Sequence, residues 1–488
     1  MVKKVLDLKP KDVFYYVFSS YLLIGMHISI KHVGGYGLYL PFNIIGWMFI
    51  SFLIGLALFQ VSRNERLIYS NLFIYCLIGS ALMFLPILFS NNIHAGFAIM
   101  RMLGLSGGLI LYLSFQQFEF NKEEKIRFLY VMLGSVIIQI SIRSFFLFDP
   151  EFGAMAQKNV FATFLATGTT IALFLLLSEK NRIKNIIKQI LVFSIPFLSC
   201  IHIYYLQSRT GYLSLIVGVG FIILFGDRRN KNLLIGIGLL FIGLVVGTIT
   251  KRETIAKKTK QYSSNTRLTT YQLTYEMIKD NPILGIGYGN FLSAFRSHYA
   301  KRKKDDPSLE TIGNNNMDHP HNEILFWAVE GGIISLIGLL TIAGAFLIMI
   351  WRTKRKSSIA ILGLPLPILV HTQLELPFYI SLIHWFLFIF IIYMVDSNIS
   401  KQFKINIEFP SIFCVLSFAF PIIISVYMAT TLKTASAITR FERTGYKNPL
   451  LLVSIDNPHA WQKKYETLIM KLNLNIAKKT NDLDKLND

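Results

Sequence analysis

The chain has 488 residues, 53% of them hydrophobic and only 16% charged, with a formal net charge of +21. So apolar a composition excludes a soluble domain built on one core and reads as an all-α, polytopic helical membrane protein. The charge would suggest nucleic acid in a soluble protein, but here the basic residues fall in short loops between apolar segments, where anionic headgroups and the positive-inside rule place them, so no nucleic-acid partner is expected.

Thirteen apolar segments are candidate membrane spans, near 13–30, 41–60, 68–89, 95–115, 128–147, 160–178, 189–206, 211–226, 232–250, 330–351, 358–371, 378–396 and 411–431. A crossing helix needs about 20 such residues, and the segments 211–226 and 358–371 are short for it. No small-residue cleavage site follows the first segment, which is read as an uncleaved span. Cys76, Cys200 and Cys414 each lie in an apolar run and read as small buried hydrophobes, with no metal or disulfide spacing.

Charge tests the topology. Lys3, Lys4, Lys9 and Lys11 place the N-terminus in the cytoplasm, and strict alternation then puts the loops with Arg63/Arg66, Lys122/Lys125/Arg127, Lys180/Arg182/Lys184/Lys188, Arg228/Arg229/Lys231, Arg352/Lys354/Arg355/Lys356 and Lys401/Lys404 on the same side. All are basic, whereas the outside loops near 90–95, 148–159, 207–210 and 372–377 hold only Lys158 and Arg209. The expected organisation is an N-terminal bundle (1–250), a large periplasmic loop (251–320), C-terminal transmembrane helices (321–431) and a periplasmic helical tail (432–488), with about 12–13 transmembrane helices in all.

The long loop concentrates the ionisable groups. After a basic run, Lys251-Arg252 to Lys257-Lys258-Thr259-Lys260, the spacing of Leu268, Tyr271, Tyr275 and Ile278 predicts a helix with one apolar face, capped by Asn265 or Thr266 and lying flat on the membrane or the bundle. Asn281-Pro282 stops it. Gly285-Ile286-Gly287-Tyr288-Gly289 reads as a tight turn that lets backbone approach a substrate; its GxGxG spacing, without a βαβ setting, is not a dinucleotide fingerprint.

Asp318-His319-Pro320-His321-Asn322-Glu323 opens the next apolar helix, with His319 near the N-cap and His321 just inside. The positive end of the helix dipole disfavours imidazolium, and a neutral imidazole can act as a general base. Free N–H groups there suit a phosphate or an oxyanion. Asp318 and Glu323 are candidates to orient the histidines. Capping and metal binding compete with catalysis, but no third metal ligand stands at a familiar spacing, so no metal is expected.

Arginines form a second constellation on the outer side: Arg101 inside the fourth span, Arg143 near the end of the fifth, Arg209 in the turn Gln207–Gly211, and Arg267 at the start of the loop helix. Guanidinium matches phosphate oxygens in bidentate fashion, so the group suits a diphosphate. The ordinary alternatives are snorkelling for Arg143 and a helix carbonyl for Arg101. Gln157-Lys158-Asn159 at the mouth of a span, and His371 with Glu375 four residues later, face the same side and are either end-caps or part of a shared site.

His319-Pro320-His321-Asn322-Glu323, followed by Trp327 and Glu330-Gly331-Gly332, resembles the signature of the O-antigen ligase superfamily. Gln157, Asn159, Phe161 and Ala162, with His371…Glu375-x-Pro377, look most like its O-linked protein oligosaccharyltransferase branch; the likeness covers roughly residues 150–400. It implies a metal- and cofactor-independent glycosyltransferase of the bacterial inner membrane that works on the periplasmic face. Such an enzyme moves a glycan from an undecaprenyl-diphosphate carrier to a Ser/Thr hydroxyl of an acceptor protein such as a pilin. Ligases of the group use lipid A-core as acceptor, and polymerases extend the glycan. The likeness implies that His321 is the base and that Arg209 and Arg267 hold the diphosphate. A flippase for the same lipid-linked glycan would want charged or broken spans near the midplane, of which there are few. A non-catalytic scaffold leaves the histidines without a task.

Overall fold

The computed structural model describes residues 9–89, 92, 94–145, 155, 157–178, 183–250, 257–312, 317–352 and 359–480, with backbone alone at 97, 257–265 and 479–480. The basic run 251–256, Lys180 and Arg182, Lys354–Lys356 and most of the 148–159 loop lie outside the described residues. The helices are α1 (Pro10–Leu23), α2 (Pro41–Asn64), α3 (Asn71–Phe84), α4 (Ile99–Gln116), α5 (Lys122–Phe145), α6 (Lys158–Ser178), α7 (Ile186–Leu206), α8 (Arg209–Phe225) and α9 (Lys231–Thr250). They continue with α10 (Lys257–Asp280), α11 (Phe291–Asp305), α12 (Glu323–Trp351), α13 (Leu366–Thr372), α14 (Leu382–Ile399), α15 (Pro410–Arg443) and α16 (Gln462–Thr480). The protein is an all-α, multi-pass membrane protein.

Among the described residues ten helices are long and apolar enough to cross a bilayer, fewer than the thirteen segments of the pattern. The difference lies in three segments. The helix of the first runs only over Pro10–Leu23, and that of 211–226 over Arg209–Phe225. The segment 358–371 becomes a 3-10 turn, Ile361–Gly363, and seven-residue α13. Pro365 and Pro367 limit it, because proline lacks the N–H that a continuing helix needs. α15 runs past residue 431 without a break, to Arg443.

The pattern of burial follows from which helix has neighbours on all sides. α6 is the central post, with 94% of its apolar window buried, and α7, α8 and α9 pack around it. α12 crosses α3 where Gly79 and Gly338 meet: a Cβ on either would stand 2.4–2.5 Å from the other's carbonyl oxygen. Such small-residue contacts bring helices together where lipid offers no hydrophobic drive.

A short antiparallel sheet, missed in the pattern, pairs β1 (Arg66–Ser70) with β2 (Gln402–Asn406), Arg66 opposite Asn406. It ties the Arg63/Arg66 loop to the Lys401/Lys404 loop, two loops that charge alone puts on one side. At the other end, α10 and α11 form a hairpin with its own small core of Leu273, Met277, Phe291 and Phe295, closed by Val329 of α12. The face of α10 that packs on the protein differs from the apolar stripe of the pattern. Leu268 and Tyr275 are 69% and 54% exposed, and the buried stripe is Thr270, Leu273, Thr274 and Met277. The helix also begins at Lys257, so Arg267 stands inside it and not at its cap.

Candidate functional site

The two histidines stand in a turn, not in the helix. Asn322 is the N-cap of α12, its Oδ1 accepting from Leu325 N at 3.0 Å, and Glu323 is the first helical residue. His321 adopts φ +56°, a left-handed backbone that a side chain of its bulk seldom takes. Its N–H donates to His319 Nδ1 at 3.1 Å. The expected positions, His319 at the cap and His321 inside the helix, are therefore displaced outward by about three residues, because the Asn322 side chain caps the helix instead.

Residues far apart in the chain complete the cluster. His321 Nδ1–H donates to Glu375 Oε1, and Arg267 Nη2 lies 3.3 Å from Glu375 Oε2. Glu375 is 7% exposed. Burial pushes its carboxyl up, but the His321 hydrogen bond and the electrostatic pull of the two neighbouring imidazoles and Arg267 outweigh it and hold it below the usual carboxylate value. A carboxylate at Nδ1 fixes the tautomer and leaves the Nε2 lone pair of His321 directed away from Glu375. His319 is the reverse: its Nδ1 accepts a hydrogen bond from the His321 backbone N–H, so its neutral ring carries hydrogen on Nε2, 3.7 Å from Asp318 Oδ1. Burial, then the neighbouring His321, push His319 down to about 4. Glu323 does not orient either histidine; it accepts from Trp327 Nε1 and Tyr379 OH at 3.1 and 3.2 Å. The role expected of Glu323 falls to Glu375.

His319, His321 and Glu375 each present a donor atom within 4.8 Å of the others, so a third metal ligand exists where spacing showed none. Two features of the donor set disfavour a cation. His319 already spends Nδ1 on a backbone N–H, and Arg267 brings a fixed positive charge to the shared carboxylate.

The loop between α10 and α11 locks this cluster in place. Ile286 N and Gly287 N donate to the carbonyls of Val329 and Glu330 at 2.9 and 3.1 Å, and Ile333 N to that of Pro282 at 2.9 Å. Gly332 interrupts α12 with φ +63°, and a Cβ there would stand 2.1 Å from Ile283 O. The GIGYG backbone thus approaches the protein's own kinked helix. Glu330 completes the clasp. Its Oε1 accepts from Gly289 N and Phe291 N at 3.0 and 3.1 Å, and its Oε2 pairs with Arg101 Nη2 at 2.5 Å.

Arg101 is accordingly corrected from diphosphate ligand to structural ion pair. Arg101 and Glu330 are 6% and 2% exposed, and the guanidinium lies over Phe326, Trp327 and Tyr288 at 4.2–5.1 Å. Arg143 ends α5 with Nη1 buried and without a hydrogen-bond partner among the described residues. Arg209, by contrast, is exposed at the first position of α8. Its turn is pinned from below: Ser208 Oγ donates to Asn159 Oδ1 at 2.8 Å, which assigns Asn159 the task of holding the Arg209 turn against α6. Gln157 accepts Phe161 N on its carbonyl and buries Oε1. His371 is fully buried in α13, its carbonyl accepting Glu375 N at 2.9 Å, and so lies behind Glu375 and not at the surface.

Residues 195–340 match the family model of O-antigen ligase, and residues 359–485 match that of the C-terminal part of a virulence-factor membrane-bound polymerase. These matches make the chain similar to the O-antigen ligase superfamily over those regions. Over 180 residues it is 34% identical to an O-antigen ligase of Salmonella typhimurium (strain LT2), a match that covers 34% of this chain and 41% of that protein. Arg209, Arg267, His319 and His321 lie within the first matched region and Glu375 within the second.

Proposed function

We propose that this protein transfers a glycan from an undecaprenyl-diphosphate carrier to a hydroxyl acceptor on the periplasmic face of the inner membrane, without a metal. The observation that carries the reading is the His321–Glu375–Arg267 cluster, which puts a base, its orienting carboxylate and a cation in one place. His321 Nε2 takes the acceptor hydroxyl proton, and the oxygen attacks the anomeric carbon. The bond from that carbon to the diphosphate oxygen breaks, and the electron pair leaves with the carrier. Glu375 stabilises the imidazolium that forms. Arg267 and the exposed Arg209 take up the charge that grows on the departing diphosphate, the role guanidinium geometry suits. His319, neutral at physiological pH, holds the left-handed turn and offers its Nε2–H, so the base is His321 and not its neighbour.

The acceptor in this reading is a Ser or Thr of a pilin-like protein, supported by the Gln157–Ala162 and His371–Pro377 segments. A second reading, lipid A-core as acceptor, is supported by the likeness to the Salmonella O-antigen ligase. The test is expression of wild type or His321→Ala in cells that supply an undecaprenyl-linked glycan and both acceptors, followed by blotting for glycan before and after proteinase K. Protease-sensitive signal absent from His321→Ala supports protein transfer. Protease-resistant signal that runs with lipopolysaccharide supports the ligase reading. Wild-type signal from His321→Ala refutes both.

A further inference from the structure

Three chain segments remote in sequence meet at one phenol. Tyr271 follows Arg267 by one turn on α10, and its hydroxyl lies 3.2 Å from the carbonyl oxygen of His321 and 3.0 Å from that of Gln373. The Gln373 carbonyl also accepts from Asn322 Nδ2 at 3.1 Å. A phenol has one proton, so it is shared between the two carbonyls. Burial pushes the Tyr271 hydroxyl up, which keeps that proton in place at neutral pH. The two backbone turns it joins are the left-handed turn of His321 and the turn that reaches Glu375 two residues later.

We propose that Tyr271 is a positioning residue for glycan transfer: its hydroxyl sets the separation of His321 and Glu375 and ties both to the helix that carries Arg267. The proposal rests on His321 being the base. The hydroxyl is not needed to hold α10 on the bundle, because Leu273 and Met277 are buried in the hairpin core and the 281–290 loop is bonded to α12. Its effect is therefore local. The His321–Glu375 hydrogen bond is directional, and a displacement of about 1 Å in a supporting group can cost about 10²-fold in rate.

Tyr271→Phe keeps the ring and deletes the oxygen. The expected result for the purified full chain, with lipid-linked glycan as donor, is a kcat reduced by about tenfold or more with an unchanged donor KM and an unchanged melting temperature. In a Glu375→Gln background the same substitution should cost little further, since Tyr271 acts through that pair. The proposal is overturned by a wild-type kcat in Tyr271→Phe, by a loss of activity that tracks a lowered melting temperature, or by losses that multiply in the double variant. If His321→Ala transfers normally, the proposal falls together with the base assignment. If His321→Ala is inactive and Tyr271→Phe is normal, only the positioning role is lost.

Discussion

Glu375→Gln isolates the element on which the proposed chemistry turns. The substitution keeps the shape of a side chain that is 7% exposed, and it removes the charge that His321 Nδ1–H and Arg267 share. A hydrogen bond to a charged group contributes about 1.5–3 kcal/mol where a neutral one contributes about 1. Little solvent reaches this carboxylate to screen the loss. At about 1.36 kcal/mol per tenfold, the difference of about 0.5–2 kcal/mol between the two bonds corresponds to a loss of roughly 2- to 30-fold in kcat. The amide can also turn its NH2 toward Nδ1, which would favour the wrong tautomer and deepen the loss. The assay is transfer by purified protein in lipid nanodiscs, at saturating donor, with folded protein quantified by melting. A kcat within about twofold of wild type, in protein that melts normally, would show that Glu375 does not orient the base and would refute the reasoning from geometry to mechanism.

Three further outcomes are expected. His319 is held down to about 4 in the folded protein against about 6.5 for an ordinary imidazole; the unfolded chain therefore binds the proton first, and stability present above about pH 6.5 is lost as pH falls toward about 4. His319→Gln should flatten that acid limb of the melting curve, and an unchanged limb would exclude His319 as its source. Arg101→Leu leaves Glu330 buried and unpaired, a loss of about 3–5 kcal/mol; the membrane level should fall while the donor KM of surviving protein stays constant, and a raised KM at normal level would restore Arg101 to the diphosphate site. Gly332→Ala forces a side chain into φ +63° with its Cβ 2.1 Å from Ile283 O, which costs about 1–3 kcal/mol from the backbone alone and should lower the melting temperature measurably.

Local pattern was enough for much of this protein. Apolar length, loop charge and the short turn signals are properties of neighbouring residues, so the all-α membrane class and the helix stop at Asn281-Pro282 were legible in the chain. Of the candidate site, the chain singled out Arg267, His321 and Glu375 in separate polar stretches, and the fold brings those three together. The tertiary structure decided what depends on distance. Glu375 meets His321 across 54 residues and Arg267 across 108, and no spacing rule connects them. Arg101 meets Glu330 across 229 residues, and only that meeting converts an apparent phosphate ligand into a buried strut. The face of α10 that packs on the protein was hidden for the same reason: Leu268 and Tyr275 match helical periodicity as well as Leu273 and Met277 do, and the hairpin with α11 and Val329 determines which stripe is buried within the protein.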